Sequence, residues 1–522
     1  MTDLADDVKH RRQRAVKGGR AVRRYGGKRP ACLALLLTAA PAHRLTAQCP
    51  DGTPPPCAAA RAARSPAPQA NSVAVLYFDN LSRDSADVFL ADGLTDELIT
   101  RLSQVRRLEV RSRFESQRVR GQRAGDPRAL GRTLGAEYLV TGSLQQVGQR
   151  VRVNVALVRA RSGTQVWGDV YDRAGDILSI QAEIAREVAG AITGRLLPQE
   201  RASLARMPTR DPAAYNLYLR GVGAANTFSE SGIRRGLDYL NRAIALDTTF
   251  ADAYVQVAVA WGLLADGYIE GRVGYARARE AAEQALRLDS SLATAHGILA
   301  AAAIALDADA AQARRWALRA QGLEPRSWLA HVTLSWAWFL SGTGEDSALA
   351  EARQGWEADT LSAVSGWNYL MTLTVLRRTD SLAAVLPRME NVLGPEDLRT
   401  FDGVVRLERG DAAAAERLSW SYYGGVLAAE HIRAQLALGR RDVARAAVDS
   451  MVAASGRGYY NAFSVARAYA ALRDADAAFA WLDRAWDQRT NWLVFVRSYA
   501  EFAPLHADPR WVAFLSRMGV RS

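Results

Sequence analysis

The pattern of apolar positions divides the chain near residue 200. Between residues 72 and 197, short apolar runs with a period of two alternate with stretches of helical period, whereas residues 210–519 are Ala-rich and helical in pattern throughout. The first part predicts the order β-α-β-α-β-β-β-α, which is one compact α/β domain with a mixed sheet. The second part predicts an all-α region.

Short motifs support the α/β prediction. The stretch "SVAVLYF" indicates a buried strand, and "ADGLTDELITRLSQV" indicates an amphipathic helix with Asp92 or Thr95 available to cap its start. The stretch "DPRALGRTLG" has Pro127 at a helix start and Gly135 at its end. Two segments with period-two patterning meet across Ser162-Gly163, which predicts a β-hairpin.

The helical part contains a repeat. Equivalent positions recur at Thr248, Ser290, Pro325, Thr360 and Pro395, with spacings of 42, 35, 35 and 35 residues. This period is close to the 34 residues of tetratricopeptide repeats. We therefore expect about eight helical hairpins that stack into a superhelix, with "PRWVAFLSRMG" as a terminal cap helix.

The N-terminal residues read as a targeting segment and a tether. Residues 1–47 combine basic residues, the ten-residue apolar run "ACLALLLTAA" and small residues suited to cleavage, which predicts a signal peptide; an uncut anchor would have the same appearance. Residues 48–71 are rich in Pro and Ala and predict a linker. The expected location is the periplasm or cell envelope.

Cleavage of the signal would leave two cysteines, Cys49 and Cys57, separated by "PDGTPPP". A disulfide across this short loop fits an oxidising compartment, and a pair of free linker thiols fits the sequence as well.

The net charge of +12 is concentrated at the N-terminus. Residues 1–48 hold eleven Lys or Arg against three Asp, which is +8 and leaves only +4 for the other 474 residues. Residues 101–132 are locally Arg-rich but have few aromatic neighbours. We therefore expect no nucleic-acid partner.

The α/β domain offers few groups for catalysis. Residues 72–197 contain no histidine, cysteine or lysine and no Gly-rich phosphate loop, which removes the common general bases, nucleophiles and zinc ligands. The remaining carboxylates, such as Asp79 and Asp92, suit turns and helix caps. The sequence therefore predicts no catalytic residue, no metal and no cofactor, with a carboxylate-dependent hydrolase using Asp79 and Asp92 as the alternative.

The stretches quoted for the first domain, together with "LGAEYLVTGSLQQVGQRVRVNVALVRARSGTQVWGDVYDR", resemble the TolB amino-terminal-like domain of bacterial multidomain signalling proteins. In that family this domain commonly precedes tetratricopeptide repeats, just as residues 72–197 precede a helical pattern here. The pair of domains often follows a winged-helix, kinase or adenylate-cyclase domain. The resemblance implies a sensing or interaction module.

These features together predict a non-catalytic exported scaffold that binds an unidentified protein or peptide through its tetratricopeptide superhelix. Membrane association is expected only if the N-terminal segment stays uncut. A second alternative is a relative of signalling proteins or transcription regulators that has lost its output domain.

The repeat register also predicts a partner-binding groove on the concave face. Its candidate residues are apolar and aromatic, which suits anchoring of a peptide; the alternative is that the same residues form the core of a tight superhelix. The groove candidates are Val332, Trp336, Phe339, Trp367 and Met371.

Overall fold

The computed structural model describes residues 70–520 apart from 85–86, 122–125, 149, 175–176, 206, 343, 359, 361, 391 and 418–427. All of these residues belong to one compact unit, residues 65–522. The predicted signal peptide, nearly all of the linker, and the cysteines Cys49 and Cys57 lie outside the described residues.

A mixed sheet forms the first part. Its strands are β1 (Ser72–Val75), β2 (Asp79–Asn80), β3 (Glu109–Val110), β4 (Tyr138–Val147), β5 (Arg150–Arg159) and β6 (Thr164–Ala174). They are ordered β3-β1-β4-β5-β6, and β2 pairs with β4 beyond the end of β1. The pairs β1–β3, β1–β4 and β2–β4 are parallel, whereas β4–β5 and β5–β6 are antiparallel.

Helices cover both faces of this sheet. They are α1 (Asp87–Ser103), α2 (Arg113–Arg118), α3 (Pro127–Leu134) and α4 (Ile177–Thr193), followed by α5 (Pro198–Ala205). One face packs against α1 and α4, with Val153, Leu157 and Ile184 in the same core. The other face packs against α3 through Leu130 and Leu134.

The observed order matches the predicted β-α-β-α-β-β-β-α with the short β2 and α2 added. The predicted ends of α3 are confirmed, because Pro127 is the first residue of the helix and Gly135 is left-handed at its C-terminus. The capping prediction for α1 is wrong. This helix begins at Asp87, one turn and more before Asp92 and Thr95, which lie in its buried interior.

The second part is helical, and successive helices pack in pairs across the described residues. The pairs are α6 (Pro212–Ala225) with α7 (Glu230–Leu246), α8 (Ala251–Gly267) with α9 (Gly271–Leu288), α10 (Ala293–Ala302) with α11 (Ala310–Leu323), α12 (Trp328–Ser341) with α13 (Glu345–Ala358), α14 (Ala363–Val375) with α15 (Thr379–Val385), α16 (Pro395–Glu408) with α17 (Ala412–Glu416), α18 (Ala428–Ala437) with α19 (Arg441–Ser455), and α20 (Ala462–Ala471) with α21 (Ala475–Gln488). The last helix is α22 (Pro509–Arg517).

Shorter elements interrupt this pattern. A π-helical turn at Ala303–Asp307 extends α10, and 3-10 turns occupy Leu386–Met389, Asn491–Phe495 and Ala500–Leu505. No helix among the described residues is long and apolar enough to cross a membrane.

Candidate functional site

The sheet domain and the helical region meet where α1 crosses α6. Two glycines allow the helix backbones to touch. A Cβ atom added to Gly93 would lie 2.1 Å from the Leu219 carbonyl oxygen, and one added to Gly223 would lie 2.3 Å from that of Phe89. Because neither position has room for a methyl group, the crossing depends on glycine at both. We call this contact the α1–α6 junction.

Asp96 lies at the centre of the junction. Its carboxylate accepts hydrogen bonds from the Tyr77 hydroxyl at 2.8 Å and from the Asn226 side-chain amide at 2.5 Å, so it ties the sheet to the end of α6. Burial raises the pKa of Asp96, although the charge of Arg113 and the hydrogen bonds from Tyr77 and Asn226 favour its ionised form.

Asp92 lies one turn before Asp96 and is held by Arg120. The guanidinium donates two hydrogen bonds of 2.9 and 2.8 Å to the two carboxylate oxygens, and it also stacks 4.9 Å from the centre of the Tyr77 ring. Burial raises the pKa of Asp92 to about 6, against the opposing effect of Arg120. The bidentate ion pair occupies both carboxylate oxygens, so Asp92 has a structural role in linking α1 to Arg120.

Glu97 extends the cluster towards α8. Its carboxylate lies 3.5 Å from the Arg101 side chain and accepts a long hydrogen bond of 3.5 Å from the Tyr218 hydroxyl. Burial raises the pKa of Glu97 to about 7, and the negative charge of Asp252 adds to the effect. At the start of α1, Asp87 forms an ion pair with Arg220 of α6.

These carboxyl groups give the junction its chemistry. Burial raises the pKa values of Asp92, Asp96 and Glu97, to about 6 for Asp92 and about 7 for Glu97, so the ionised form of these carboxyl groups is disfavoured at the junction. No group of three or more His, Cys, Asp or Glu residues within the described part of the chain is arranged to hold a metal ion. The arrangement suits proton-linked coupling between the two regions.

The other candidate acid, Asp79, occupies the two-residue strand β2, where it is half-buried opposite Ser143 of β4. Its neighbour Asn80 uses its side-chain oxygen to accept from the Ser82 N–H at 2.9 Å, as in a turn. In the run "DNLS", Asp79 and Asn80 therefore pair with β4, and the chain then turns towards α1. The sequence predicted the turn at Asp79 but not the strand pairing.

The predicted groove residues lie in a filled interior. Val332, Phe339 and Met371 are 4%, 5% and 1% exposed, and Trp336 and Trp367 pack against the same core. The chain's own residues 491–505, which we call the closing segment, cover this face: the rings of Phe339 and Phe495 lie 4.9 Å apart, and those of Trp367 and Trp492 lie 5.4 Å apart. Val332, Phe339 and Met371 are thus buried, whereas a partner-binding role for the half-buried Trp336 and Trp367 stays a prediction.

A buried ionic cluster fixes the other end of the closing segment. Arg467 of α20 is fully buried and donates to Glu430 of α18 at 2.5 Å and to Glu501 at 3.0 Å. Its guanidinium also lies 3.5 Å from the centre of the Tyr499 ring. Arg433 of α18 adds a second positive charge 3.8 Å from Glu501. Arg433 pairs more closely with Glu408, at 2.5 Å, so Arg467 is the main counter-charge of Glu430 and Glu501.

The start of the closing segment reaches back to the second helix pair. Asn491 donates to Asp266 of α8 at 2.8 Å and to the Tyr275 hydroxyl at 3.2 Å. Burial raises the pKa of Asp266 to about 6. Sequence reasoning missed this closure, because "NWLVFVRSYAEFAPL" has neither a helical period nor the repeat register.

The architecture is thus a mixed-sheet domain joined through a glycine-dependent junction to a closed array of helix pairs. No family model matches the chain. Over 193 residues, 37% of this chain, it is 32% identical to a protein of Rhizobium meliloti (strain 1021) named "Putative adenylate cyclase 3". The chain spans 33% of the length of that relative.

This similarity corrects the functional expectation. The sequence predicted a non-catalytic exported scaffold, whereas the relative is named for an enzyme of signalling. The prediction of a non-catalytic exported scaffold is therefore wrong. The composition of residues 72–197 had argued only against common catalytic side chains, and it carried no information about a signalling context.

Proposed function

We propose that this chain works in cyclic-nucleotide signalling and that its described residues receive a signal and pass it on to cyclase activity. The observation that carries the proposal is the 193-residue similarity to a protein named as an adenylate cyclase. The match covers 37% of this chain, which is long enough to comprise one or more folded units.

The α1–α6 junction supports a relay role. A relay needs two regions whose states depend on each other, and helices whose backbones touch cannot shift independently. The junction also contains the protonatable Asp92, Asp96 and Glu97, and its Asp87–Arg220 ion pair links the start of α1 to α6. A change in the sheet domain therefore reaches α6 directly.

We further propose that the helix pairs are tetratricopeptide repeats and that the sheet domain is TolB-like. The helix pairs support the first part, because the acidic residues that end the second helices, Asp247, Asp289 and Glu324, are spaced by 42 and 35 residues. The mixed sheet, with its first helix between β2 and β3, is compatible with the second part.

The test is a cyclase assay with purified proteins. Formation of cyclic AMP from ATP and Mg²⁺ is measured for this chain alone, for the Rhizobium relative alone, and for the two together. We expect the mixture to differ from the sum of the separate rates by at least about fivefold, the scale of a typical coupling between sites.

Two matched variants locate the effect. Gly223→Ala disturbs the junction, whereas Gly322→Ala in α11 has nothing within 4 Å of the added Cβ. We expect Gly223→Ala to lose the effect on the cyclase rate and Gly322→Ala to keep it. A mixture that equals the sum of the separate rates, with no cyclic AMP formed by the chain alone, would contradict the proposal.

Export stays a separate proposal, supported by the composition of residues 1–47. N-terminal sequencing of the protein from a cell-envelope fraction is expected to begin near Gln48, after removal of residues 1–47. Recovery of intact Met1 in the cytoplasm would refute export without affecting the signalling proposal.

A further inference from the structure

Several elements meet at the end of the sheet where the chain enters it. The parallel strands β1, β3 and β4 all begin there. The chain reaches β1 through Asn71, whose carbonyl oxygen accepts a hydrogen bond of 3.2 Å from the Glu109 N–H of β3. The β5–β6 hairpin turns at the same end, because Arg159 of β5 lies opposite Tyr138 at the start of β4. We call this end of the sheet the entry edge.

Arginine side chains dominate the exposed surface of the entry edge. Arg107 lies just before β3 and donates to the carbonyl oxygen of Arg195 at 2.7 Å, so the residues that follow α4 reach this edge as well. Arg128 of α3 donates to the carbonyl oxygen of Ser162 in the β5–β6 turn at 3.5 Å. The exposed arginines that these contacts and their chain neighbours place at the entry edge are Arg106, Arg107, Arg128, Arg159, Arg161 and Arg195.

The described carboxylates at the same strand ends are less exposed than these arginines. Glu200 is 8% exposed and forms an ion pair of 2.6 Å with Arg107. Glu109 and Glu137 are half-buried, and Glu109 forms an ion pair of 3.1 Å with Arg111. The solvent-facing surface of the entry edge is therefore positively charged. Guanidinium groups bind phosphate oxygens well, because they donate two parallel hydrogen bonds.

A large apolar side chain is exposed among these arginines. Leu197 is 53% exposed. Its backbone N–H donates at 2.8 Å to the Glu200 carboxylate that Arg107 also binds, so Leu197 lies close to Arg107. An apolar side chain beside basic ones suits a membrane surface, because the apolar group enters the boundary of the acyl layer while the basic groups bind the headgroups.

We propose that the entry edge docks on an anionic phospholipid membrane. Such a surface complements both the arginines and Leu197, whereas a nucleic acid complements the arginines but offers no acyl layer to the leucine. The sequence that leads to this edge contains the apolar run "ACLALLLTAA" and then the Pro-rich residues 48–71. The contact itself belongs to the folded sheet domain, so it does not depend on whether residues 1–47 are cleaved.

The test begins with co-sedimentation of the full chain with vesicles. Vesicles of phosphatidylcholine alone are compared with vesicles that also contain about 30% phosphatidylglycerol. We expect the anionic vesicles to bind the chain at least about tenfold more tightly, and about 0.5 M NaCl to abolish this difference, because salt screens surface charges. Equal binding to the two kinds of vesicle at low salt would overturn the proposal.

Residues 1–48 are also basic, so two variants of equal charge locate the contact. Arg161→Gln with Arg195→Gln neutralises part of the entry edge, and Arg319→Gln with Arg457→Gln removes the same charge from exposed positions of the helical region. We expect the first pair to weaken binding to anionic vesicles at least about tenfold and the second pair to change it by less than about twofold. Similar effects of the two pairs would overturn the proposal.

The apolar part of the contact is tested with Leu197→Gln, which should weaken binding to anionic vesicles at least about threefold. Leu318→Gln on α11, where the leucine is 55% exposed, is the matched control and should leave binding unchanged. Circular dichroism checks that each variant is folded. Native-like binding by Leu197→Gln would overturn the proposal, and so would tighter binding of the native chain to a DNA duplex than to the anionic vesicles.

Discussion

The helical region is held in two different ways, at the α1–α6 junction and at the closing segment. The junction uses backbone contact at Gly93 and Gly223 and carboxyl groups with raised pKa values. The closing segment uses aromatic rings and the fully buried Arg467 with its two glutamates. The first contact therefore depends on backbone approach and includes buried carboxyl groups, and the second depends on side-chain volume and a compensated charge.

The largest effect is expected at the closing segment. Arg467→Ala leaves Glu430 and Glu501 buried without their shared cation, which should lower the free energy of unfolding by about 4 kcal/mol. Arg484→Ala, which removes an exposed arginine stacked on Trp481, should change it by less than about 0.5 kcal/mol. Urea unfolding followed by circular dichroism measures both. Equal effects of the two substitutions would show that the ionic cluster does not hold the segment.

A slightly smaller effect is expected on the face predicted from the sequence to be a groove. Phe339→Ala removes a buried ring that packs edge-on against Phe495, and it should destabilise the protein by about 3 kcal/mol. The same urea experiment measures this change. A variant with unaltered stability would restore the idea that this face is open to a partner.

A glycine-to-alanine substitution at the junction and one away from it should change stability in opposite directions. Gly93→Ala forces a methyl group against the Leu219 carbonyl and should cost about 2 kcal/mol. Gly190→Ala in α4 meets nothing within 4 Å and should stabilise the protein by about 0.5–1 kcal/mol, because alanine favours helices. Thermal unfolding of the two variants gives the comparison. Stabilisation by both would mean that the helices do not touch at Gly93.

The smallest effect is a pH dependence at Glu97. Its pKa is raised to about 7 in the folded protein, so the folded state holds the proton more tightly than the unfolded chain does. The stability contributed by the protonated form is complete below the unfolded pKa, near 4.3, and is lost as pH rises towards 7. As pH rises across that range, we expect the free energy of unfolding of Glu97→Gln to rise by about 1–2 kcal/mol relative to that of the native protein.

Glu200 provides a comparison of opposite sign. Its hydrogen bond from Arg107 lowers its pKa to about 2, so its contribution is lost as pH falls below the unfolded value. Stability measured from pH 3 to 8 should therefore change in different windows for Glu97→Gln and Glu200→Gln. A constant difference between Glu97→Gln and the native protein would show that Glu97 does not keep its proton.

Local patterns predicted the order of elements in the sheet domain well. Alternation marked the long strands, and the Pro127 and Gly135 signals marked both ends of α3, because these signals are local. The start of α1 was misplaced because Asp92 and Thr95 resemble caps, while their burial against Arg120 and the sheet is a tertiary effect.

The candidate site was much harder to predict. Gly93 and Gly223 lie 130 residues apart, and nothing local marks them as contact points. The closing segment was missed for the same reason: its irregular turns are stabilised by Trp367, Phe339 and Arg467, which are distant in sequence. The sequence left open whether the groove residues form a core, but it did not predict that the closing segment packs on Phe339 and Trp367.

The central claim is that the α1–α6 junction couples the sheet domain to the helical region. The most direct test is hydrogen exchange, followed by mass spectrometry, of the native chain and of Gly223→Ala, with Gly322→Ala as control. We predict faster exchange in Gly223→Ala in β1 and β4 of the sheet as well as in α6 and α7, because disturbing one side loosens both. Faster exchange confined to α6 and α7, with the sheet unchanged, would contradict the claim.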